Sequence, residues 1–227
     1  DRGQHCARLI HRLFKFVFRV GVGHDAGAQT GGSRGGAILR YREIFEDVRF
    51  YAEHQNAYDA NQARELSLSR LDLEALMPVL EGDVPVLFGA SERRDVRAGL
   101  AMAREYGLEV AFIGALDTWA MADELAEAGA AVVVNALYNL PFSFEALGAR
   151  EDAAAILESA GVEGILSSND THNVRTLRQV AGNAVRAGLP WDAALQAVTS
   201  RPARLFGVDD RYGTIAVGQV ANLVLWT

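Results

Sequence analysis

Glu163-Gly164-Ile165-Leu166-Ser167-Ser168-Asn169-Asp170-Thr171-His172-Asn173 is the stretch on which the fold turns. Gly164 to Leu166 is an apolar run too short for a helix and bounded by polar residues, which reads as a buried strand. It runs into Ser167, Ser168, Asn169, Asp170, Thr171 and His172. A helical pattern follows from Val174 to Ala187. α/β folds place their chemistry where a strand ends in polar groups and feeds a helix. Asp170 and His172 are the one carboxylate–imidazole pair packed this closely in the second half of the chain. A purely structural role stays open: Asp170 or Thr171 can cap the helix that follows.

Upstream of this stretch the pattern repeats. Val84 to Gly89 reads as a strand, and Asp95 to Tyr106 as a helix closed by Gly107. Glu109 to Ile113 is the next strand, ending at Gly114. Thr118 to Ala128 is a helix closed by Gly129, and Ala131 to Asn135 is a strand. Past Pro141, Arg150 to Ser159 is a helix closed by Gly161. Strands alternating with helices at this spacing imply right-handed βαβ units and a parallel sheet. Downstream, Pro190 opens a helix from Trp191 to Val198, and Pro202 opens a short one from Ala203 to Phe206. The tail from Gly213 then changes to strand chemistry, with Ala221 to Trp226 strongly β-forming.

Before the alternation begins, Ile38, Tyr41, Ile44, Phe45, Val48 and Tyr51 recur at helical steps, giving one long amphipathic helix from Ala37 to about Ala63. His54 belongs to its polar end. Leu71 to Leu80 is a second outer helix. Residues 21–36 carry seven glycines. Their spacing fits neither a phosphate-binding loop nor a dinucleotide fingerprint, so a loop is expected, with His24 and Asp25 solvated. In residues 1–20, Arg2, Arg8, Arg12, Lys15 and Arg19 outnumber Asp1. Lys15 and Arg19 interrupt the apolar run from Leu13 to Val20, so this stretch is not expected to be a signal peptide. The segment is expected to be a surface amphipathic helix, or a stretch poorly matched to the rest.

Composition sets the outer limits. The chain has 227 residues, half of them hydrophobic, and a net charge of −7. That suits a soluble globular protein and disfavours nucleic acid as a partner. No apolar run reaches the length of a membrane span. The one cysteine, Cys6, allows neither an intrachain disulfide nor a cysteine-based zinc site. Its scarcity fits a reducing compartment, cytoplasmic by default. Lys15 is the one lysine, so no later position offers an amine for a Schiff base or a metal-bridging carbamate.

Three features resemble one family. They are the strand ending in Asp170 within SSNDTHN, the run of βα units before it, and the closing stretch TSRPARLFGVDDRYGTIAVGQVANLVLW. Together they are similar to the amidohydrolase superfamily, the metal-dependent (β/α)8 hydrolases, and most to its imidazolonepropionase-like branch. The closing stretch resembles that family's helix with a T..PA...G pattern followed by G.I..G..AD. The resemblance covers about residues 21–227. It implies a partial TIM-type barrel over 21–210 and a returning strand of a small β-sandwich over 211–227, with 1–20 as a separate basic segment.

The resemblance also implies a chemistry. The family's aspartate after the last barrel strand ligates a metal and handles the proton of the attacking water, and Asp170 is the matching position. A divalent metal, zinc in the first instance, is the implied cofactor. His172 can orient Asp170 or touch substrate. Tyr138, Asn139 and Asn169 are candidates for substrate binding, although an aromatic or an amide near a strand end, such as Tyr138 or Asn135, commonly serves core or rim. Arg175 and Arg178 can meet an acidic substrate group or simply face water. The implied reaction is hydrolysis of a non-peptide C–N bond in a cyclic amide or similar small substrate. Two departures weigh against it. No His-x-His strand is present, and the strands from Val84 and from Glu109 run out into Gly89-Ala90-Ser91 and Gly114-Ala115 without a histidine. The alternative is therefore a non-catalytic or truncated relative acting as a binding or assembly subunit. A full barrel takes about 250 residues. The chain is accordingly expected to be the C-terminal part of a longer one, or to cover its sheet edges by pairing with another subunit, as in a homo-oligomer.

Overall fold

The computed structural model describes residues 17–20, 33–90, 92–114, 116–138, 140–141, 143–169 and 171–223. Among these residues, five strands form one parallel sheet in sequential order: β1 (Val17–Val20), β2 (Val86–Ala90), β3 (Val110–Ile113), β4 (Ala131–Val134) and β5 (Gly164–Leu166). Each neighbouring pair is parallel, with Leu87 opposite Ala111, Ala111 opposite Ala131, and Val133 opposite Ile165. Sequential order with same-handed crossovers puts the connecting helices on one face. It is the arrangement of a segment of a (β/α) barrel.

The helices are α1 (Arg34–Asp59), α2 (Arg70–Leu80), α3 (Arg93–Tyr106), α4 (Ala122–Glu127), α5 (Ala153–Ser159), α6 (Leu177–Arg186), α7 (Trp191–Val198) and α8 (Ser200–Leu205). Val86, Phe88, Val110, Phe112 and Val132 point to one face and join Phe45, Val48, Leu73, Leu100 and Met102 in the main core. Period-2 alternation sends their neighbours Leu87, Ala111, Ala131 and Ile165 to the opposite face, where Leu205 and Phe206 at the end of α8 cover them. α3 lies close on β3: a Cβ added at Gly99 would stand 2.7 Å from the Phe112 ring. Leu166 packs with Val180, Ala184 and the alanines of α7 in a second cluster.

Local chemistry accounts for the boundaries. Ser33 caps α1 by accepting the Gly36 N–H at 3.0 Å. The Asp95 carboxylate accepts the Glu92 N–H at 3.1 Å in a capping box that opens α3, and Gly107, in a left-handed conformation, closes it. Asp47 is buried on α1. Burial alone would raise its pKa, but the Ser67 N–H at 2.6 Å and the Arg64 guanidinium at 2.6 Å hold it below the usual carboxylate range. The carboxylate thereby ties α1 to the link that leads into α2.

The structure corrects several expectations. Val17–Val20 is neither helical nor unmatched to the rest: it pairs with β2 along its length. An edge strand needs a hydrogen-bonding partner on one side only, so the charged Arg19 does not exclude it. The long helix starts at Arg34 and stops at Asp59, with a break in helical angles at His54. Thr118 to Ala128 is divided into a 3-10 turn, Thr118–Met121, and α4. The helix expected from Val174 is preceded by a 3-10 segment, Thr171–Thr176, and becomes α-helical at Leu177. Residues 211–223 form turns and irregular chain rather than a strand, with Ile215 and Val217 exposed. Residues 224–227, the end of the expected strand, lie outside the described residues. So do 21–32, most of the expected glycine-rich loop, while its last residues, 34–36, open α1 instead. Among the described residues no helix is long and apolar enough to cross a membrane.

Candidate functional site

Parallel strands in sequential order bring their C-terminal ends to one rim. The loops after β2, β3, β4 and β5 meet there, and the loop after β5 carries the stretch that organises the sequence. The Ser167 N–H donates to the Val134 carbonyl at 3.0 Å, extending the pairing of β4 with β5 by one residue. The Ser167 hydroxyl accepts the Asn169 N–H at 3.0 Å. Asn169 holds φ at 55°, in the left-handed region that asparagine tolerates better than most residues. Chain direction changes sharply here, immediately before position 170.

Asn135 is the link between the two central loops. It is 3% exposed. Its side-chain amide donates to the Ser168 carbonyl at 3.0 Å, and its side-chain oxygen accepts the Leu137 N–H at 2.9 Å. Its own carbonyl accepts the Tyr138 N–H at 3.1 Å. A buried amide engaged on both sides is a structural clamp rather than a substrate ligand. The structural alternative for Asn135 is thus the one that holds.

The other sequence candidates divide. Asn169 and His172 are exposed at the rim. The His172 carbonyl accepts Arg175 Nη1 at 3.1 Å, so Arg175 folds back on this turn. Tyr138 is half-exposed. Asp170 and Asn139 lie outside the described residues. Two features of the rim had no clear signal in the sequence. Asp117, after β3, accepts Arg93 Nε, after β2, at 3.1 Å. Trp119 Nε1 donates to the Gly148 carbonyl at 2.7 Å, and Arg150 stacks over the Trp119 ring at 4.6 Å. Gly148 lies so close to Asp117 that an added Cβ would stand 2.5 Å from Asp117 Cβ. The loop after β4 is therefore fixed at both ends, by Asn135 at its root and by Trp119 at its far end.

Electrostatics outside the rim are structural. The phenol of Tyr106 is pushed up to about 12, first by burial and then by Glu46 beside it. Tyr106 ends α3, at the opposite end of the sheet from the rim. His54 stacks on Phe50 at 4.3 Å on the outer helix layer. Among the described residues no three His, Cys, Asp or Glu side chains converge in a way that could hold a metal ion. β2 ends at Ala90 and β3 at Ile113, followed by Gly114, and none of the three offers a metal-ligating side chain. The described residues alone do not supply the three protein ligands usual for a catalytic zinc.

Three comparisons bear on this arrangement. The family model for the amidohydrolase family matches residues 94–227, more than half of the chain. A 5-methylthioadenosine/S-adenosylhomocysteine deaminase from Desulforudis audaxviator is 37% identical over 79 residues, covering 33% of this chain and 18% of that protein. The amidohydrolase tasK of Hapsidospora irregularis is 33% identical over 89 residues, covering 39% of this chain and 9% of its own. A solved structure of an amidohydrolase from Thermotoga maritima shares the fold, with a TM-score of 0.75 and 24% identity over 87% of this chain and 52% of that one. The match thus spans less than a fifth of each curated relative and about half of the solved structure. The matched stretch takes in the rim loops after β3, β4 and β5 and the closing sequence that first suggested the likeness, so this chain belongs to the amidohydrolase family.

Proposed function

We propose that the rim formed by the loops after β4 and β5 binds a small molecule and hydrolyses a C–N bond in it, with Asp170 as the proton-carrying carboxylate. One observation carries the reading: the family match runs through the loop that follows β5 and includes position 170. A carboxylate at a strand end can accept the proton of an attacking water and return it to the departing nitrogen. The reading extends to a cyclic amide or similar substrate as in the imidazolonepropionase-like branch, with Tyr138, Asn139 and Asn169 beside it. Membership of the family implies a divalent metal. The described residues do not complete a donor set for it. Asp170 is the family-matched ligand position, and His172 stands two residues on. Pairing with a second copy of the chain belongs to the same proposal.

A second reading has its own support. Strand ends without a metal-ligating side chain, at Ala90 and at Ile113 with Gly114 after it, favour a relative that binds at this rim without turnover. Fold and function are separable. The test is Asp170→Asn, assayed against cyclic amides after dialysis with zinc. Release of the ring-opened acid should disappear while the unfolding midpoint stays in place. Equal turnover in the variant removes Asp170 from the mechanism. Stoichiometric zinc that is lost in Asp170→Ala favours the enzyme. Metal-free protein that binds an amide without hydrolysing it favours the second reading.

A further inference from the structure

The loop after β4 is long for a βα connection, running from Asn135 to the start of α5 at Ala153. Loops of this length in compact domains are commonly functional. Both its ends are tied, one by the Asn135 amide and one by the Trp119–Gly148 hydrogen bond. Between the ties five of its larger apolar side chains face outward: Leu137 is 45% exposed, Tyr138 50%, Leu140 69%, Phe144 93% and Leu147 68%. Glu145 is the one charged residue between Ala136 and Gly148. Other exposed large apolar side chains, such as Leu39, Leu71, Trp191 and Val217, are scattered over the described chain, whereas these five fall together within residues 137–147 on a fixed loop, a concentration that asks for a ligand.

We infer that this loop is the specificity element of the site, and that it receives the uncharged apolar or aromatic group of a small amide whose polar end lies at the loop after β5. The inference rests on the reading of the rim as the small-molecule site. Continuity supports a small ligand: the root of the loop is hydrogen-bonded to Ser168, next to Asn169, so an amide group held there has the apolar loop beside it. Between Ala136 and Gly148 the loop carries no cationic side chain to meet an anionic group. Fixed ends limit the entropy lost when the loop closes on a ligand.

The experiment uses a matched pair of probes, acetamide and phenylacetamide, titrated into the intact chain and followed by NMR line broadening or calorimetry. Phenylacetamide should bind about tenfold more tightly than acetamide, the gain expected from burying one ring. In the double variant Leu140→Ser/Phe144→Ser that ratio should fall below about twofold. Both side chains are exposed, so the unfolding midpoint should not move, and a melt checks this. A preference that persists in the variant overturns the inference, as does binding of neither probe. Self-association that the double variant abolishes, with no difference between the two amides, also overturns it and assigns the surface to a second copy of the chain. The readout needs no turnover: absence of hydrolysis with an intact probe preference defeats the enzyme reading and leaves this inference standing.

Discussion

The two ends of β5 are held by different chemistry. At its start, Arg201 of α8 makes a two-pronged ion pair with Glu158, at 2.7 and 2.8 Å, and donates to the Gly164 carbonyl at 3.2 Å. The Arg201 side chain is 9% exposed and that of Glu158 24%. Arg204, one turn on, pairs with Glu163 at the surface. At its finish, β5 opens into a loop held by the Ser167–Val134 backbone bond, the Asn135 clamp and local hydrogen bonds, with no buried ion pair like that of Arg201 among those described. Charge and packing fix the first end, whereas the second keeps polar side chains exposed beside a fixed apolar loop. Barrel proteins divide their two ends in this way, stability at the N-terminal face and chemistry at the C-terminal one.

That contrast can be measured. Arg201→Met should have the largest effect, about 3 kcal/mol, because Glu158 is left with its charge mostly out of water. Partial exposure of Glu158 keeps the loss toward the low end for such pairs. In a chain of this length that is a fall of roughly 10 °C in the thermal midpoint. A loss below about 1 kcal/mol would make this end no firmer than an ordinary surface pair. Asn135→Ala should come next, at about 2 kcal/mol, since it leaves the Leu137 N–H and the Ser168 carbonyl without their partner. It should also speed proteolytic cutting between residues 137 and 148. A destabilisation equal to that of Arg201→Met would show that the rim is as structural as the opposite end. Arg204→Ala should cost least, under about 1 kcal/mol, because both members of its pair are open to solvent. A larger loss there would mean that α8 holds the sheet through several charges rather than one.

Much of the α/β framework could be read directly, and the reasons are local. β2 to β5 are short apolar runs between glycines and polar turns, and α7 runs from Trp191 to Val198 as its opening proline suggests. Where tertiary contact overrides local pattern, reading failed. The helix expected from Thr118 is broken because Trp119 turns to meet Gly148, a partner 29 residues away that no periodicity reveals. β1 was hidden because VFRV sits in a basic segment, and its pairing with β2 depends on a neighbour beyond two helices. At the site, the position of the loop after β5 was legible as a strand end, and the resemblance singled out residue 170. The Asn135 clamp was legible only as one of two alternatives, since a buried and an exposed asparagine look alike in sequence. Within the stretch from Leu137 to Leu147 the resemblance offered Tyr138 and Asn139 as substrate candidates, but the exposure of Leu140, Phe144 and Leu147 was not legible, because exposure is a property of the folded surface.

The place of β1 bears on how the molecule assembles. Each later strand reaches its neighbour through a single crossover, whereas β1 meets β2 only after α1, α2 and the segments around them have been passed. Closing a loop about three times longer costs roughly 1 kcal/mol more in chain entropy. Nucleation therefore belongs to the β2–β5 portion, with β1 docking late as the most non-local contact of the sheet. Pulse-labelled hydrogen exchange should show amide protection at Val110–Ile113 before it appears at Val17–Val20, and the reverse order would place the folding nucleus at the opposite edge.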